Sequence, residues 1–181
     1  MTSSLTPPQI ANLYLSFDIS DVSVNEDDKL VHTPQLDFSH EIIYALNRTS
    51  LWQFGKIHVF LEAENMTIEV SPALSVPSSL KEFRHLIKDL IMGREVKSGN
   101  ISLLKIRTDK LKLPKTRFTV DPYANKVVDP NSLTEDGIML CLSLNPESGT
   151  NTHACFSKSP LPALNQCLNV AAAIERRGEI A

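Results

Sequence analysis

The sequence predicts an α+β fold, a mostly antiparallel sheet of about five to seven strands with three main helices packed on it. Three observations predict it. Leu13, Leu15, Phe17 and Ile19 alternate with polar residues, and so do Ile57, Val59 and Leu61, as half-buried strands require. Met66, Ile68 and Val70 repeat the alternation just beyond Glu64-Asn65, the pattern of a hairpin. Leu80, Phe83, Ile87, Leu90 and Ile91 form one helical stripe behind Ser79-Leu80-Lys81-Glu82, a capping box in which hydroxyl and carboxylate each satisfy an orphan backbone donor.

The 181 residues, 42% hydrophobic and 22% charged, suffice for one self-supporting core. Residues 1–11 are polar, hold Pro7-Pro8 and lack periodicity, so they read as a mobile arm ahead of a single domain over 12–181. After the first strand the parity shifts at Ser20-Asp21, where a bulge would keep Val22 and Val24 on the same face as the earlier residues. Phe38, Ile42, Ala45 and Leu46 give the first helix, with Asp37 or Ser39 as its N-cap. Strands are expected at 101–107 and 116–120. The run Gly137 to Leu144 is apolar on both parities and reads as a central, buried strand, with 152–157 pairing back after a turn at Asn145–Gly149. Ser159-Pro160 opens the last helix, which carries Leu161, Leu164, Leu168, Ala171 and Ile174 on one face.

Charge is segregated. Residues 1–80 hold 3 Lys/Arg against 10 Asp/Glu, residues 81–126 hold 12 against 5, and residues 127–181 hold 3 against 6. Lys81, Arg84 and Lys88 lie on the polar side of the second helix. Lys105, Arg107, Lys110, Lys112, Lys115 and Arg117 follow, with Asp109 as the sole acid among them. Such a block focuses field toward an anionic partner, whether lipid, phosphate or an acidic surface of another copy. The alternative is a solvated face neutralised by the acidic first third. Nucleic acid is the weaker partner: the pI is about 5.9, and only Phe118 and Tyr123 lie close enough to stack on bases. Glu26, Asp27 and Asp28 form an acidic turn suited to self-association. Trp52 and Phe54 are either an aromatic anchor for a partner or part of the core.

Enzyme signatures are few. With glycines only at 55, 93, 99, 137, 149 and 178, neither the phosphate-cradling loop nor the dinucleotide fingerprint can be written. There is no nucleophile elbow, and His40-Glu41 continues as Ile42-Ile43-Tyr44, which breaks the zinc-protease spacing. His153-Ala154-Cys155 is the one compact pairing of a base and a thiol, readable as a nucleophile pair, as half a metal site, or as a structural imidazole beside a buried thiol. Asp27-Asp28 and Glu62/Glu64 sit in exposed, turn-like contexts. No cofactor and no metal is expected from these motifs. Cys141, Cys155 and Cys167 are odd in number and no basic, apolar leader precedes them, which predicts an intracellular, reducing compartment.

The arm with Thr6-Pro7-Pro8, the strand LYLSFDI (13–19), the helix HEIIYALN (40–47) and the strand KIHVFLEA (56–63) together resemble a rhabdovirus-type viral matrix protein. That resemblance implies a non-enzymatic structural protein that self-associates and bridges a viral ribonucleoprotein to the inner face of an anionic membrane, with those contacts falling to the block 81–117. A small enzyme using Cys155 with His153, and a nucleic-acid-binding accessory protein, are the rival expectations.

Overall fold

The structure, a computed structural model, describes residues 10–110, 112–146 and 152–178. Its strands are β1 (Asn12–Asp18), β2 (Ser23–Val24), β3 (Leu30–Val31), β4 (Ile57–Glu62), β5 (Thr67–Val70), β6 (Val96–Ser98), β7 (Ile101–Arg107), β8 (Thr116–Val120), β9 (Gly137–Leu142) and β10 (Thr152–Ala154). Its helices are α1 (Pro34–Leu46), the single turn α2 (Ser50–Gln53), α3 (Leu80–Ile91) and α4 (Ala163–Arg177). Eight strands form one sheet in the order β10-β8-β9-β1-β4-β5-β7-β6, and β2 and β3 form a separate hairpin.

The expectation of an antiparallel sheet of five to seven strands is corrected. From β10 through β8, β9 and β1 to β4 every neighbouring pair is parallel. Only β5, β7 and β6, at one side, run antiparallel. The fold is therefore α/β, with four helices rather than three. Direction follows from the connections. β1 reaches β4 through the hairpin, α1 and α2, the helical crossover that a parallel pair needs.

The alternation was misleading as to direction because one face of the sheet is uniformly apolar while the other mixes polar residues with the buried Phe60 and Met139. Leu13, Leu15 and Phe17 face Ile57, Val59 and Leu61 on one side and Ile138, Leu140 and Leu142 on the other, in register. All of these join one core with Leu36, Ile42, Ile43 and Leu46 of α1, Phe83 and Ile87 of α3, and Val170 and Ile174 of α4. The opposite parity carries Tyr14, Ser16, His58, Thr119 and Cys141, so a parallel sheet here shows the period of a half-buried antiparallel one.

Several local expectations change. Residues 19–22 form a turn rather than a bulge: Val22 N–H bonds Ile19 O at 3.0 Å and Ser20 N–H bonds Asp18 Oδ1 at 2.9 Å, which returns Ile19 and Val22 to the core. α1 starts a turn early, at Pro34 behind Thr33. α4 starts at Ala163, after Pro162. β10 does not pair back on β9 but runs parallel to β8. At the other end, Ala11, assigned to the arm, is 1% exposed; residues 1–9 of that arm, and the end of the turn expected at 145–149, lie outside the described residues. The hairpin β4–β5 and the Ser79 cap, whose hydroxyl accepts from Glu82 N–H at 3.3 Å, are present.

α4 is fastened by one buried amide. Gln166, 0% exposed, accepts from Phe156 N–H at 2.8 Å and donates to Leu161 O at 2.9 Å. Leucine at 166 fills the same space but strands these groups, at roughly 1–3 kcal/mol for each one left buried and unpaired. Gln166→Leu is expected to lower the denaturant midpoint without changing the slope.

His58 stacks on Tyr14 at 4.6 Å and shares a 3.0 Å hydrogen bond with Asn12 Oδ1. Burial lowers its pKa below the ordinary 6.5; Glu69 opposes this and Lys56 adds to it. Below about pH 6.5 the unfolded chain then binds the extra proton, so this contribution to stability is full above that pH and lost as pH falls. Chemical denaturation from pH 7.5 to 5 is expected to show a shallower decline for His58→Gln than for the native protein.

Candidate functional site

In parallel sheets ligands bind outside the carboxyl ends of the strands, where the loops diverge. All five parallel strands of this sheet end at one edge, and a crevice of about 480 Å³ lies there, lined by Ser16, Asp18 and Asp21 around the end of β1, Thr119 of β8, Cys141 of β9 and Ser143 just past it. One row of register partners crosses the sheet beneath it, polar on either side of Phe60: His153, Thr119, Cys141, Ser16, Phe60, Glu69 and Lys105.

The crevice walls are held by hydrogen bonds from distant segments. Gln35, in the first turn of α1, donates to Ser143 Oγ at 3.2 Å and accepts from Leu144 N–H at 3.1 Å. The loop leaving β10 is tied to the loop leaving β8: Cys155 N–H bonds Lys126 O and Val128 N–H bonds Cys155 O, both at 2.9 Å. Asp121, just past β8, pairs with His153 Nδ1 at 3.2 Å, while the other ring nitrogen is buried without a partner.

The proposed thiol–imidazole pair is not formed. His153 is engaged by Asp121, and Cys155 Sγ donates to Ser157 O at 3.3 Å. Cys155 is 3% exposed, and burial pushes the Cys167 thiol up to about 12. Among the described residues no group of three or more His, Cys, Asp or Glu side chains is placed to hold a metal ion.

The basic block does not share one side of the molecule. Lys81, Arg84 and Lys88 belong to α3, in the helical layer, whereas Lys105, Arg107 and Arg117 have the parity of the opposite sheet face. Arg84 grips Asp37 in a two-pronged pair at 2.8 and 2.5 Å, a hydrogen-bonded contact that raises its pKa. Arg107 bridges Glu69 at 2.8 Å and Asp109 at 3.0 Å. Lys88 donates to Asp28 O at 2.8 Å, so the acidic turn Glu26-Asp27-Asp28 lies beside the basic helix of its own molecule, around a groove of about 730 Å³. Lys105, Lys110, Lys112 and Lys115 are exposed. Trp52 is a core residue, its indole N–H bonded to Pro72 O at 3.0 Å, whereas Phe54 is exposed.

Sequence reasoning missed Asp18, Asp21, Thr119, Asp121 and Ser143. The signal was there, polar residues at the ends of three apolar runs, but it identifies a site only once those ends are known to meet.

A mostly parallel sheet backed by helices, with a polar crevice at its carboxyl edge, defines an α/β fold of the kind that carries ligand sites outside its strand ends. Residues 20–175 match the EMG1/NEP1 methyltransferase family, and the chain belongs to that family. Among solved structures it is similar to the crystal structure of Archaeoglobus fulgidus Nep1 bound to S-adenosylhomocysteine, with a TM-score of 0.69 over 92% of this chain and 98% of that one, at 11% identity. No curated protein matches the sequence.

These findings overturn the resemblance to a viral matrix protein and, with it, the expectations of a non-enzymatic structural, virion or membrane-associated protein. The Cys/His enzyme and the accessory nucleic-acid binder fall as well. The matrix resemblance rested on size and the order of three short elements, which unrelated α/β and α+β chains share.

Burial orders the three thiols. Cys141, half-buried and lining the crevice, is expected to react with iodoacetamide in the native protein, and Cys155 and Cys167 only after denaturation. Peptide mapping of the alkylated protein checks this; equal labelling of all three would contradict the packing.

Proposed function

We propose that the protein is an S-adenosylmethionine-dependent methyltransferase with RNA as its methyl acceptor. The family match over residues 20–175 carries the reading. The crevice supports it by size, since small-molecule sites span about 300–1,000 Å³, and by the chemistry of its lining. Asp18 and Asp21 offer carboxylates to a ligand bearing an ammonium group and ribose hydroxyls. Ser143 and Asn145 offer polar edges, and Leu142 and Pro146 an apolar wall. The cofactor, when bound, supplies an electrophilic methyl group.

What this chain contributes is binding and orientation. The Gln35 bonds hold Ser143 and Leu144 in place before any ligand arrives, so little ordering cost falls on these two residues when one binds. The carboxylates at the end of β1 favour a cationic ligand and disfavour a bare anion at the same place, leaving phosphates to contact cations elsewhere. The exposed Lys105, Lys110, Lys112, Lys115 and Arg117 are the residues we assign to that contact.

Titration calorimetry with S-adenosylhomocysteine tests the reading. Saturable binding is expected, and Asp18→Asn with Asp21→Asn weakens it at least tenfold, the loss of one or more charge-assisted hydrogen bonds. The same ligand slows alkylation of Cys141. No heat and no protection would refute a cofactor site at this edge. Reversal of Lys105, Lys112 and Lys115 to Glu is expected to leave that binding intact while weakening single-stranded RNA binding. The logarithmic salt dependence should become shallower by roughly 0.7 for each phosphate no longer neutralised.

A further inference from the structure

Exposed large apolar side chains gather at the same edge as the crevice. Tyr123 is 84% exposed, Val127 55% and Leu144 46%, and all three stand in the loops leaving β8 and β9. An aromatic ring this open is not explained by packing, since large aromatics are mostly buried. Its backbone is nonetheless fixed. Asp121 Oδ1 accepts Tyr123 N–H at 2.9 Å, Asp121 O accepts Ala124 N–H at 3.1 Å, and Asp121 N–H bonds Ala154 O at 3.0 Å. Asp121 Oδ2 is held by His153. Each oxygen of one carboxylate thus has a separate task, one positioning the tyrosine and the other anchoring the turn to β10.

Cations stand in the same loop as the ring and in the loop tied to it. Lys126 and Lys158 are exposed, and the backbone bonds between residues 126–128 and Cys155 bring their two loops together. Lys126 Nζ lies 5.6 Å above the Phe118 ring, so its stem is laid against the protein rather than loose in solvent. An open aromatic face with lysines in its own and the adjoining loop offers a base the ring and phosphates the ammonium groups.

We propose that Tyr123 is a stacking platform for an unpaired base of the RNA acceptor, with Lys126 and Lys158 on the flanking phosphates, and with Asp121 and His153 as positioning residues that hold the platform still. The proposal rests on the methyltransferase reading and adds the subsite that selects a single-stranded target. Stacking on a π-face is tolerant of sequence, so this subsite favours an unpaired over a paired nucleotide rather than one base over another.

The test uses the full chain and a single-stranded RNA carrying 2-aminopurine, whose fluorescence falls on stacking. Native protein is expected to quench it. Tyr123→Ala should abolish the quenching and weaken binding by about five- to hundredfold, while Tyr123→Trp retains both. His153→Ala should reduce quenching in part, and His153→Asn should recover it, because the amide can still donate to Asp121. S-adenosylhomocysteine affinity should not move in the two Tyr123 variants.

Undiminished quenching by Tyr123→Ala overturns the subsite, and so does equal affinity for single-stranded and duplex RNA. Flotation of the native protein with anionic phosphatidylserine vesicles, abolished in Tyr123→Ala while RNA binding is unchanged, would assign the patch to lipid and likewise overturn it. Failure of S-adenosylhomocysteine to bind the native protein would refute the methyltransferase reading instead, a separate measurement from the fluorescence.

Discussion

The structure depends on β1 being hydrogen-bonded along both edges to parallel partners. Leu13 to Phe17 pair with Ile57 to Leu61 on one side and with Ile138 to Leu142 on the other. Their inward side chains meet α1, α3 and α4 in one core. Because β1 is interior, slipping it by one residue would turn Leu13, Leu15 and Phe17 outward and bring Tyr14, Ser16 and Asp18 in, so its register is strongly specified. Parallel alignment then sends the ends of β1, β8, β9 and β10 to one edge, and the crevice exists because those ends coincide.

Polar contacts between separate elements tie the loops of that edge together. Gln35 bridges α1 to the loop after β9, Gln166 bridges α4 to the loop after β10, and the Asp121–His153 pair joins the loop after β8 to β10. Gln166 reads a backbone N–H that would otherwise be buried and unpaired, a role in which substitution is costly. Loops can carry chemistry only when a scaffold positions them, and here each is tied by a residue from another element.

Charge illustrates how a linear pattern dissolves in three dimensions. The cations between Lys81 and Arg117 look continuous in the chain, yet α3 lies in the helical layer while Lys105, Arg107 and Arg117 have the parity of the opposite sheet face. Arg84 and Arg107 direct their charge to Asp37 and Glu69, partners 47 and 38 residues away. What remains for an outside anion is the strand and loop lysines, with Lys126 and Lys158 at the carboxyl edge, a distribution suited to an extended polyanion rather than to a flat surface.

Much of the local structure was legible in the amino acids. The inward faces of β1, β4, β5 and α3, the cap at Ser79, the interior position of β9 and the absence of nucleotide-binding loops all follow from spacing or residue type within a few positions, because pleat, helical period and capping are local geometry. Strand direction was not legible, since alternation has the same period in parallel and antiparallel strands. The burial that normally separates the two was masked by the polar parity of Tyr14, Ser16 and His58. The site shared that fate: Asp18, Thr119, Asp121 and Ser143 are ordinary where they stand in the chain and become a constellation only when the crossovers align four strand ends. The sequence alone therefore determined most of the longer strands and helices and which side of most of them is apolar, but not the short β2, β3, β6 and α2. Tertiary structure decided how the strands run and hence where a ligand can bind, because direction is a property of the connections and not of any strand.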